Sequence, residues 1–188
     1  MGDLRLPNVV VTTRVPAPDR AAGLEALVAA VASATDVGTA AVRVGRRCPR
    51  CGRTDHGRPW AVADGVPVGV STARTTGVWV TAVGPGPVGI DVERVSRVAA
   101  APLDAFTPGE RRRADGDVAA LTACWVAKEA VLKRDGRGLR VDPVRVDVDL
   151  AAGTAAFEGD LLRVAFHRPD DDLVLAVAAG GVPVSWGG

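Results

Sequence analysis

Two acidic residues on one predicted strand and a third on a predicted helix could together bind a divalent metal ion. Asp91 and Glu93 are two positions apart in the apolar run 88–93. Their carboxylates therefore point to one face of the strand, about 6–7 Å apart at the backbone, and Ile90 and Val92 point to the other, buried face. Carboxylates with phosphate oxygens and water form the usual shell of Mg²⁺. The alternative is an ordinary exposed strand face.

The two lysines of the chain lie in one nine-residue stretch, 125–133, whereas the other 21 basic residues are arginine. Lysine is a compact point charge with a movable pKa, so this placement favours chemistry at a single oxygen. Glu129 and Lys133 are four residues apart and share a helix face with Trp125. A surface ion pair of about 0.3–0.5 kcal/mol is the alternative. Lys128 lies about 100° round the helix, where we expect it to contact the edge of the substrate or the second lobe.

Three acids directed at one site would repel one another unless a cation lay between them. An arginine-rich region nearby, residues 43–58, suits a substrate with several phosphates. The pattern predicts Mg²⁺-assisted chemistry at a phosphate or pyrophosphate. In such chemistry a carboxylate accepts a proton from the nucleophile and a lysine meets the leaving oxygen.

The composition limits the class of protein. The chain has 188 residues, of which 47% are hydrophobic and 24% charged, and its net charge is +1. These values predict one large domain or two small lobes, and they are untypical of a disordered chain or a strongly basic nucleic-acid binder. The sequence shows three cysteines, no signal-peptide pattern and no apolar run of membrane-spanning length. We therefore expect a cytoplasmic protein with reduced thiols and no membrane partner.

Hydrophobic periodicity predicts an α+β fold with two similar lobes in a pseudo-twofold arrangement. Each half has a long helix followed by about three strands, and the clearest break is the Gly-Pro repeat at 84–87. We expect an N-terminal lobe over 1–86 and a C-terminal lobe over 87–188. The predicted helices cover 19–35, a short segment from Pro108 with Thr107 as N-cap, and 118–134. The predicted strands cover 9–12, 42–44, 66–71, 78–83, 88–93, 144–150, 154–157, 161–166 and 173–178.

At these motifs the chain resembles the 4′-phosphopantetheinyl transferases that modify carrier proteins of peptide and polyketide synthesis. The family pattern is a V-G-I-D-V-E-like strand followed, after about thirty to forty residues, by W-S/T/C-x-K-E-A-x-x-K. Residues 89–93 (GIDVE) and 125–133 (WVAKEAVLK) match it in order and spacing. Residues 136–139 (GRGL) are similar to the family's G-x-G-L loop.

The resemblance implies transfer of phosphopantetheine from coenzyme A to a serine of an acyl or peptidyl carrier protein. Asp91, Glu93 and Glu129 would hold Mg²⁺, Glu129 would take the serine proton, directly or through water, and Lys133 would steady the phosphates. The coenzyme A contacts would come from a G-K-P-like segment and from the region that is S-H-S in the family. The residues of these two regions are His56, Gly57, Arg58, Pro59, Ser71, Thr72 and Arg74, and Lys133 of the predicted helix would join them.

The region that is S-H-S in the family differs here. Thr72 stands at the histidine position and carries no charge; Arg74 could substitute, or the alignment could slip to residues 75–77. A non-catalytic relative that binds carrier protein or coenzyme A is therefore the alternative function. We expect a monomer without a nucleic-acid partner. Either Arg111, Arg112 and Arg113 or the loop 136–140 would meet the acidic carrier.

Cys48, Cys51 and His56 form a C-x₂-C-x₄-H pattern similar to a zinc knuckle. A structural zinc site normally has four protein ligands, and Cys124 and His167 are the remaining candidates. The alternative is a turn with reduced, packed thiols. A zinc-containing nucleic-acid module built on this loop is the third function that the sequence leaves open.

Overall fold

The computed structural model describes residues 6–17, 19–101 and 103–187. The described helices are α1 (Arg20–Thr35), α2 (Val95–Ala100), α3 (Pro108–Ala114) and α4 (Val118–Asp135). The strands of the first half are β1 (Val9–Arg14), β2 (Val42–Arg47), β3 (Arg58–Ala63), β4 (Val66–Thr75) and β5 (Val78–Gly84). Those of the second half are β6 (Gly89–Arg94), β7 (Asp147–Asp149), β8 (Thr154–Phe157), β9 (Asp160–His167), β10 (Leu173–Ala178) and β11 (Val184–Trp186).

The strands form two sheets, one with the order β11-β1-β5-β4-β3-β2 and one with the order β6-β10-β9-β8-β7. Helix α1 packs on the first sheet, and α4 packs against β6 and β10 of the second. The predicted α+β class is therefore confirmed. The pseudo-twofold relation between the lobes stays a prediction.

An apolar cluster joins the two sheets into one core. Ile90 and Val92 on β6 and Leu175 on β10 pack there with Val80 of the first sheet, and all four are nearly or fully buried. The predicted burial of the Ile90 face is thus confirmed. The cluster contains side chains from both sheets. The orientation of β6 is therefore determined by packing on both sides of the boundary between the two sheets.

The C-terminal strand lies on the first sheet. Val9 and Val11 of β1 pair in parallel with Val184 and Trp186 of β11. The first sheet therefore contains residues from both halves of the sequence. The predicted lobe boundary after residue 86 does not coincide with the division into sheets, because β11 belongs to the first sheet. That boundary stays a prediction.

The segment 48–60 is rich in Pro, Gly and Arg, a composition that predicts a loop, but it contains the start of a strand. Arg58 to Ala63 form β3, which pairs with β2 and β4. Helix α2 and strand β11 were also absent from the sequence prediction, and β4 extends to Thr75 rather than ending at Ser71. These elements depend on pairing or packing with distant segments, which local periodicity does not record.

A glycine allows β6 to lie directly against α4. A Cβ atom at Gly89 would be 1.9 Å from the carbonyl oxygen of Ala130, so only glycine fits there. Asp91 and Glu93 lie two and four residues further along the same face of the strand. The glycine contact therefore brings that face, with its carboxylates, against the helix that carries Glu129 and Lys133.

Lys128 lies in the core rather than at a substrate. Its ammonium pairs with Glu110 Oε2 at 2.9 Å, and both side chains are fully buried. It also donates to the carbonyl oxygens of Pro143, at 3.0 Å, and Val146. The expected contact with the substrate edge is therefore wrong, because α3 and the segment before β7 cover this face of α4. The alternative, contact within the second lobe, is what the structure shows.

Candidate active site

Asp91 and Lys133 form the centre of the candidate site. Lys133 Nζ lies 2.6 Å from Asp91 Oδ1 and 3.1 Å from the carbonyl oxygen of Ile90. The Asp91 side chain is 12% exposed and that of Lys133 is 27% exposed. Burial raises the pKa of Asp91, and the ammonium of Lys133 opposes that rise. The pair thus places one cation at the boundary between core and solvent.

Glu129 lies beside this pair and is strongly perturbed. Its side chain is buried, and no described residue donates a hydrogen bond to its carboxylate. Burial, followed by repulsion from Asp91, raises the pKa of Glu129 to about 7. A carboxylate with a pKa near neutrality is well suited to accept a proton at physiological pH.

Glu93 has partners of its own in the structure. Its Oε1 accepts from Thr75 Oγ1 at 2.5 Å and from the backbone N–H of Arg94 at 2.9 Å. Its Oε2 pairs with Arg97 at 3.0 Å. The negative charge of Glu93 nevertheless acts on Asp91, whose pKa it raises. The Glu93 carboxylate therefore lies beside the site but is directed partly away from it.

The donor atoms at this site are hard carboxylate oxygens, the type that Mg²⁺ prefers. Asp91 and Glu129 are buried and repel each other, and a divalent cation would relieve that repulsion. These two side chains fit the ion. The three predicted ligands do not lie within 4.8 Å of one another, a condition that only Cys48, Cys51 and His56 meet within the described part of the chain. Glu93 as the third ligand stays a prediction.

Two adjoining cavities open beside Lys133. The smaller, of about 380 Å³, is bordered by Gly57, Arg58, Pro59, Ser71, Thr72 and Lys133 among others. The larger, of about 690 Å³, is bordered by His56, Gly57, Thr72, Arg74, Asp91 and Lys133 among others. Every residue that the sequence resemblance assigns to coenzyme A binding therefore borders at least one of the two cavities.

Arg46 belongs to the arginine-rich region 43–58, and the structure gives it a central position. It borders both cavities and donates to the carbonyl oxygen of Gly57 at 3.1 Å and to Thr72 Oγ1 at 3.2 Å. Burial, then the charges of Arg20 and Arg74, lower its pKa, although an arginine remains a cation. Three guanidinium groups thus share one region of the surface, an arrangement that favours an anionic ligand.

Of the two alignments that the sequence leaves open for the S-H-S region, the one at Ser71 and Thr72 places its residues at the cavities. These two residues border the cavities, and the alternative residues 75–77 form the end of β4 and its turn. Ser71 Oγ accepts from the backbone N–H of Ile90 at 3.1 Å, next to Asp91. The charge that Thr72 lacks is supplied at this point by Arg46.

The loop after α4 lies at the cavity rather than apart from it. Gly136 is the C-cap of α4 with φ of 95°, and Gly136, Arg137, Gly138 and Arg140 border the smaller cavity. Arg58 donates to the carbonyl oxygen of Arg134 at 3.4 Å and so connects the two halves. Part of this loop is therefore available to the same ligand as Arg58.

The three consecutive arginines of α3 differ in their partners. Arg111 pairs with Asp104 at 2.9 Å, and Arg113 pairs with Asp147 at 3.1 Å. Arg112 is exposed. Contact between this helix and a carrier protein stays a prediction, with Arg112 as the residue best placed for it.

A cationic cavity next to buried carboxylates and a lysine is typical of an enzyme that acts on phosphorylated substrates. Residues 87–178 match the family model of the 4′-phosphopantetheinyl transferase superfamily, and this part of the chain is a domain of that superfamily. The matched residues include Asp91, Glu93, Glu129 and Lys133. No curated protein matches the chain. No helix among the described residues is long and apolar enough to cross a membrane.

Proposed function

We propose that this protein transfers the 4′-phosphopantetheine group of coenzyme A to a serine of an acyl or peptidyl carrier protein. Adenosine 3′,5′-bisphosphate is the second product. The superfamily match supports phosphopantetheinyl transfer as the general chemistry. We further propose that the protein is a monomer, because both sides of the cavities come from one chain. We also propose that it acts in the cytoplasm.

The observation that carries this proposal is the position of Lys133. Its ammonium is bonded to Asp91, lies beside Glu129, and borders both cavities. If a phosphate is attacked near Glu129 and the leaving group departs into the basic cavity, that leaving group passes the ammonium of Lys133. Such a path matches a pyrophosphate that is cleaved between a nucleotide and a transferred arm.

We assign roles in the chemistry to four residues. Glu129 accepts the proton of the attacking serine, directly or through a water molecule, for which its pKa of about 7 is suitable. Among the residues that the structure describes, Lys133 donates to Asp91 and Ile90, which leaves one of its three N–H groups for a phosphate oxygen. Asp91, Glu129 and Glu93 would hold Mg²⁺, which when bound neutralises charge on the pyrophosphate.

The remaining assigned residues bind the coenzyme. Arg58 and Pro59 line the smaller cavity, and His56 and Arg74 line the larger. Gly57 and Thr72 border both cavities, and Ser71 borders the smaller one. The glycine lets a ligand approach the backbone closely, and Ser71 and Thr72 offer hydroxyl groups. Arg46 is added to this set because it is bonded to both Gly57 and Thr72.

The proposal is tested by mass spectrometry of carrier proteins. The protein is incubated with Mg²⁺, coenzyme A and apo carriers from fatty acid, polyketide and peptide synthesis. We expect at least one carrier to gain the mass of a phosphopantetheine group. Glu129→Gln should slow transfer about 10³-fold while the fold survives, because the proton acceptor is removed. Glu25→Gln, an exposed glutamate on α1, is the matched control and should keep full activity.

Two results would contradict the proposal. One is the absence of a mass gain on every carrier class, and the other is transfer at the same rate by the Glu129→Gln variant. The alternative function, a non-catalytic relative, is distinguished by two measurements. Calorimetry would show binding of coenzyme A or carrier, and no adenosine 3′,5′-bisphosphate would be released.

A further inference from the structure

The loop between β2 and β3 carries a second cluster of ligand-type side chains, distinct from the carboxylate site. The two strands pair up to Arg47 and Arg58, and the residues between them form the loop. Within it, the ligand atoms of Cys48, Cys51 and His56 all lie within 4.8 Å of one another. Neither thiol forms a disulfide.

The separations in this cluster match those around a zinc ion. Cys51 Sγ is 3.5 Å from His56 Nε2. A tetrahedral Zn²⁺ with Zn–S of about 2.3 Å and Zn–N of about 2.0–2.1 Å separates a sulfur ligand from a nitrogen ligand by about 3.5 Å. The ring nitrogen and the sulfur are thus already at the spacing that a shared zinc ion requires.

The surrounding groups orient these ligands. His56 Nδ1 is 2.7 Å from Asp55 Oδ1, so the other ring nitrogen, Nε2, is the one directed at the sulfur atoms. A carboxylate behind the histidine is the usual second partner of a metal-bound imidazole. Gly52, with φ of 72°, closes the turn by donating to the carbonyl oxygen of Cys48 at 2.9 Å.

The other candidates for a fourth ligand lie elsewhere. Cys124 is buried in the core around α4, where burial raises the pKa of its thiol to about 12. His167 stacks on Trp186 with ring centroids 4.9 Å apart. The fourth position is therefore left to a water molecule or another small ligand.

We propose that Cys48, Cys51 and His56 bind one Zn²⁺ ion that holds the β2–β3 loop in place beside the cavities. Thiolate ligands select zinc over Mg²⁺, so this site and the carboxylate site would bind different metals. Two thiolates cancel the charge of the ion, so the ion acts by fixing the loop and not by attracting phosphate. Cys48 borders the smaller cavity and His56 the larger, and Gly57 and Arg58 follow directly. The site goes beyond the proposed transferase function, and it gives both ring nitrogens of His56 to the ion and Asp55 instead of to the coenzyme.

Metal analysis of the purified chain tests the proposal without any activity measurement. We expect about one zinc per chain, and about none after Cys51→Ser or His56→Gln. Cys124→Ala and His167→Gln remove the remaining cysteine and histidine, and as matched controls they should keep the zinc. Asp55→Asn should weaken zinc binding about tenfold, because the histidine loses its orienting partner.

Cobalt substitution gives an independent readout of the ligands. The metal-free protein with Co²⁺ should show the visible bands of tetrahedral cobalt bound to thiolate, and Cys51→Ser should weaken them. Freely reactive thiols at Cys48 and Cys51, together with no bound zinc or cobalt, would overturn the proposal. A Cys48–Cys51 disulfide in freshly purified protein without metal would also overturn it.

Limited proteolysis tests the role of the ion. Trypsin cleavage after Arg50 and Arg53 should be at least about tenfold slower with zinc than in the metal-free protein, because a fixed loop opens rarely. Equal cleavage rates with and without bound zinc would remove the loop-fixing role. Cleavage after Arg14, outside the loop, is the internal control and should not change.

Discussion

Two lysine–carboxylate pairs on helix α4 have similar distances but different surroundings. Lys128 and Glu110 are 2.9 Å apart, and both side chains are fully buried. Lys133 and Asp91 are 2.6 Å apart, but their side chains are 27% and 12% exposed. Five residues along one helix therefore separate a pair within the core from a pair at the edge of a cavity.

The number of acceptors around each ammonium shows what the two pairs can do. Lys128 has three acceptors among the described residues, Glu110 and the carbonyl oxygens of Pro143 and Val146. Its three N–H groups are therefore used. Within the same described part of the chain, Lys133 has two acceptors, Asp91 and Ile90. An ion pair distance alone does not distinguish a structural lysine from a ligand-binding one, whereas the unused N–H does.

The largest expected effect comes from breaking the buried pair. Lys128→Met should lower the free energy of unfolding by about 4 kcal/mol, because Glu110 would keep an uncompensated charge in the core. Urea denaturation measures the change. Lys133→Met, at the partly exposed pair, is the control and should cost about 1 kcal/mol or less. Equal losses in the two variants would show that the pairs do not differ as described.

The second prediction uses the pH dependence of stability next to the exposed pair. In the metal-free protein the Glu129 pKa is raised from 4.5 to about 7. The protonated carboxyl therefore contributes stability below pH 4.5, and this contribution is lost as the pH rises through 7. Glu129→Gln should gain about 3 kcal/mol relative to the parent chain between pH 4.5 and 7.5.

Unfolding curves of the metal-free protein and the variant at several pH values measure this gain. Glu25→Gln should show no such trend, since that side chain is exposed. Adding Mg²⁺ at pH 7.5 should stabilise the parent chain more than the Glu129→Gln variant. A constant difference between parent and variant across the pH range would contradict the raised pKa.

The third prediction concerns the unused N–H of Lys133. Lys133→Met should slow phosphopantetheinyl transfer about 100-fold, or ~2.7 kcal/mol, because a donor to the leaving phosphate is lost. Lys133→Arg keeps the charge and should recover part of the rate. Unchanged transfer by Lys133→Met, with full folding, would remove this lysine from the chemistry.

The smallest of these effects is expected at Arg46. Arg46→Gln should weaken coenzyme A binding about tenfold, or ~1.4 kcal/mol, because one charged contact to a phosphate is replaced by a neutral one. Isothermal calorimetry measures the affinity. Arg43→Gln lies on the same strand, away from the two cavities, and should bind coenzyme A normally. Equal binding by both variants would contradict a specific role for Arg46.

Local signals predicted much of the fold around the site. Helix α4 was predicted over 118–134 and extends from Val118 to Asp135, and the strands at 154–157 and 173–178 have the predicted bounds. Thr107 is the N-cap of α3, as predicted, and its hydroxyl accepts from the backbone N–H of Glu110. These features depend on residues close together in sequence, which is why periodicity and capping patterns record them.

The sequence could not predict which lysine is buried. Helical spacing places Lys128 and Lys133 on different faces, but the cover over Lys128 comes from Glu110 and from carbonyl groups 15 and 18 residues away. Arg46 was missed as an individual residue for a similar reason, since its partner Thr72 is 26 residues distant. Strand β3 begins at Arg58 and Pro59, whose composition is typical of a loop, and it forms because β2 and β4 pair with it.

The pairing of β1 with β11 has a consequence for how the chain is made. Val9 pairs with Val184 in the first sheet, so β11 cannot add to β1 until residue 184 has left the ribosome. Until then β1 presents unpaired backbone groups, which are prone to pair with another chain. Contacts of such sequence separation also slow folding. We therefore expect the N-terminal half, expressed by itself, to aggregate where the whole chain folds.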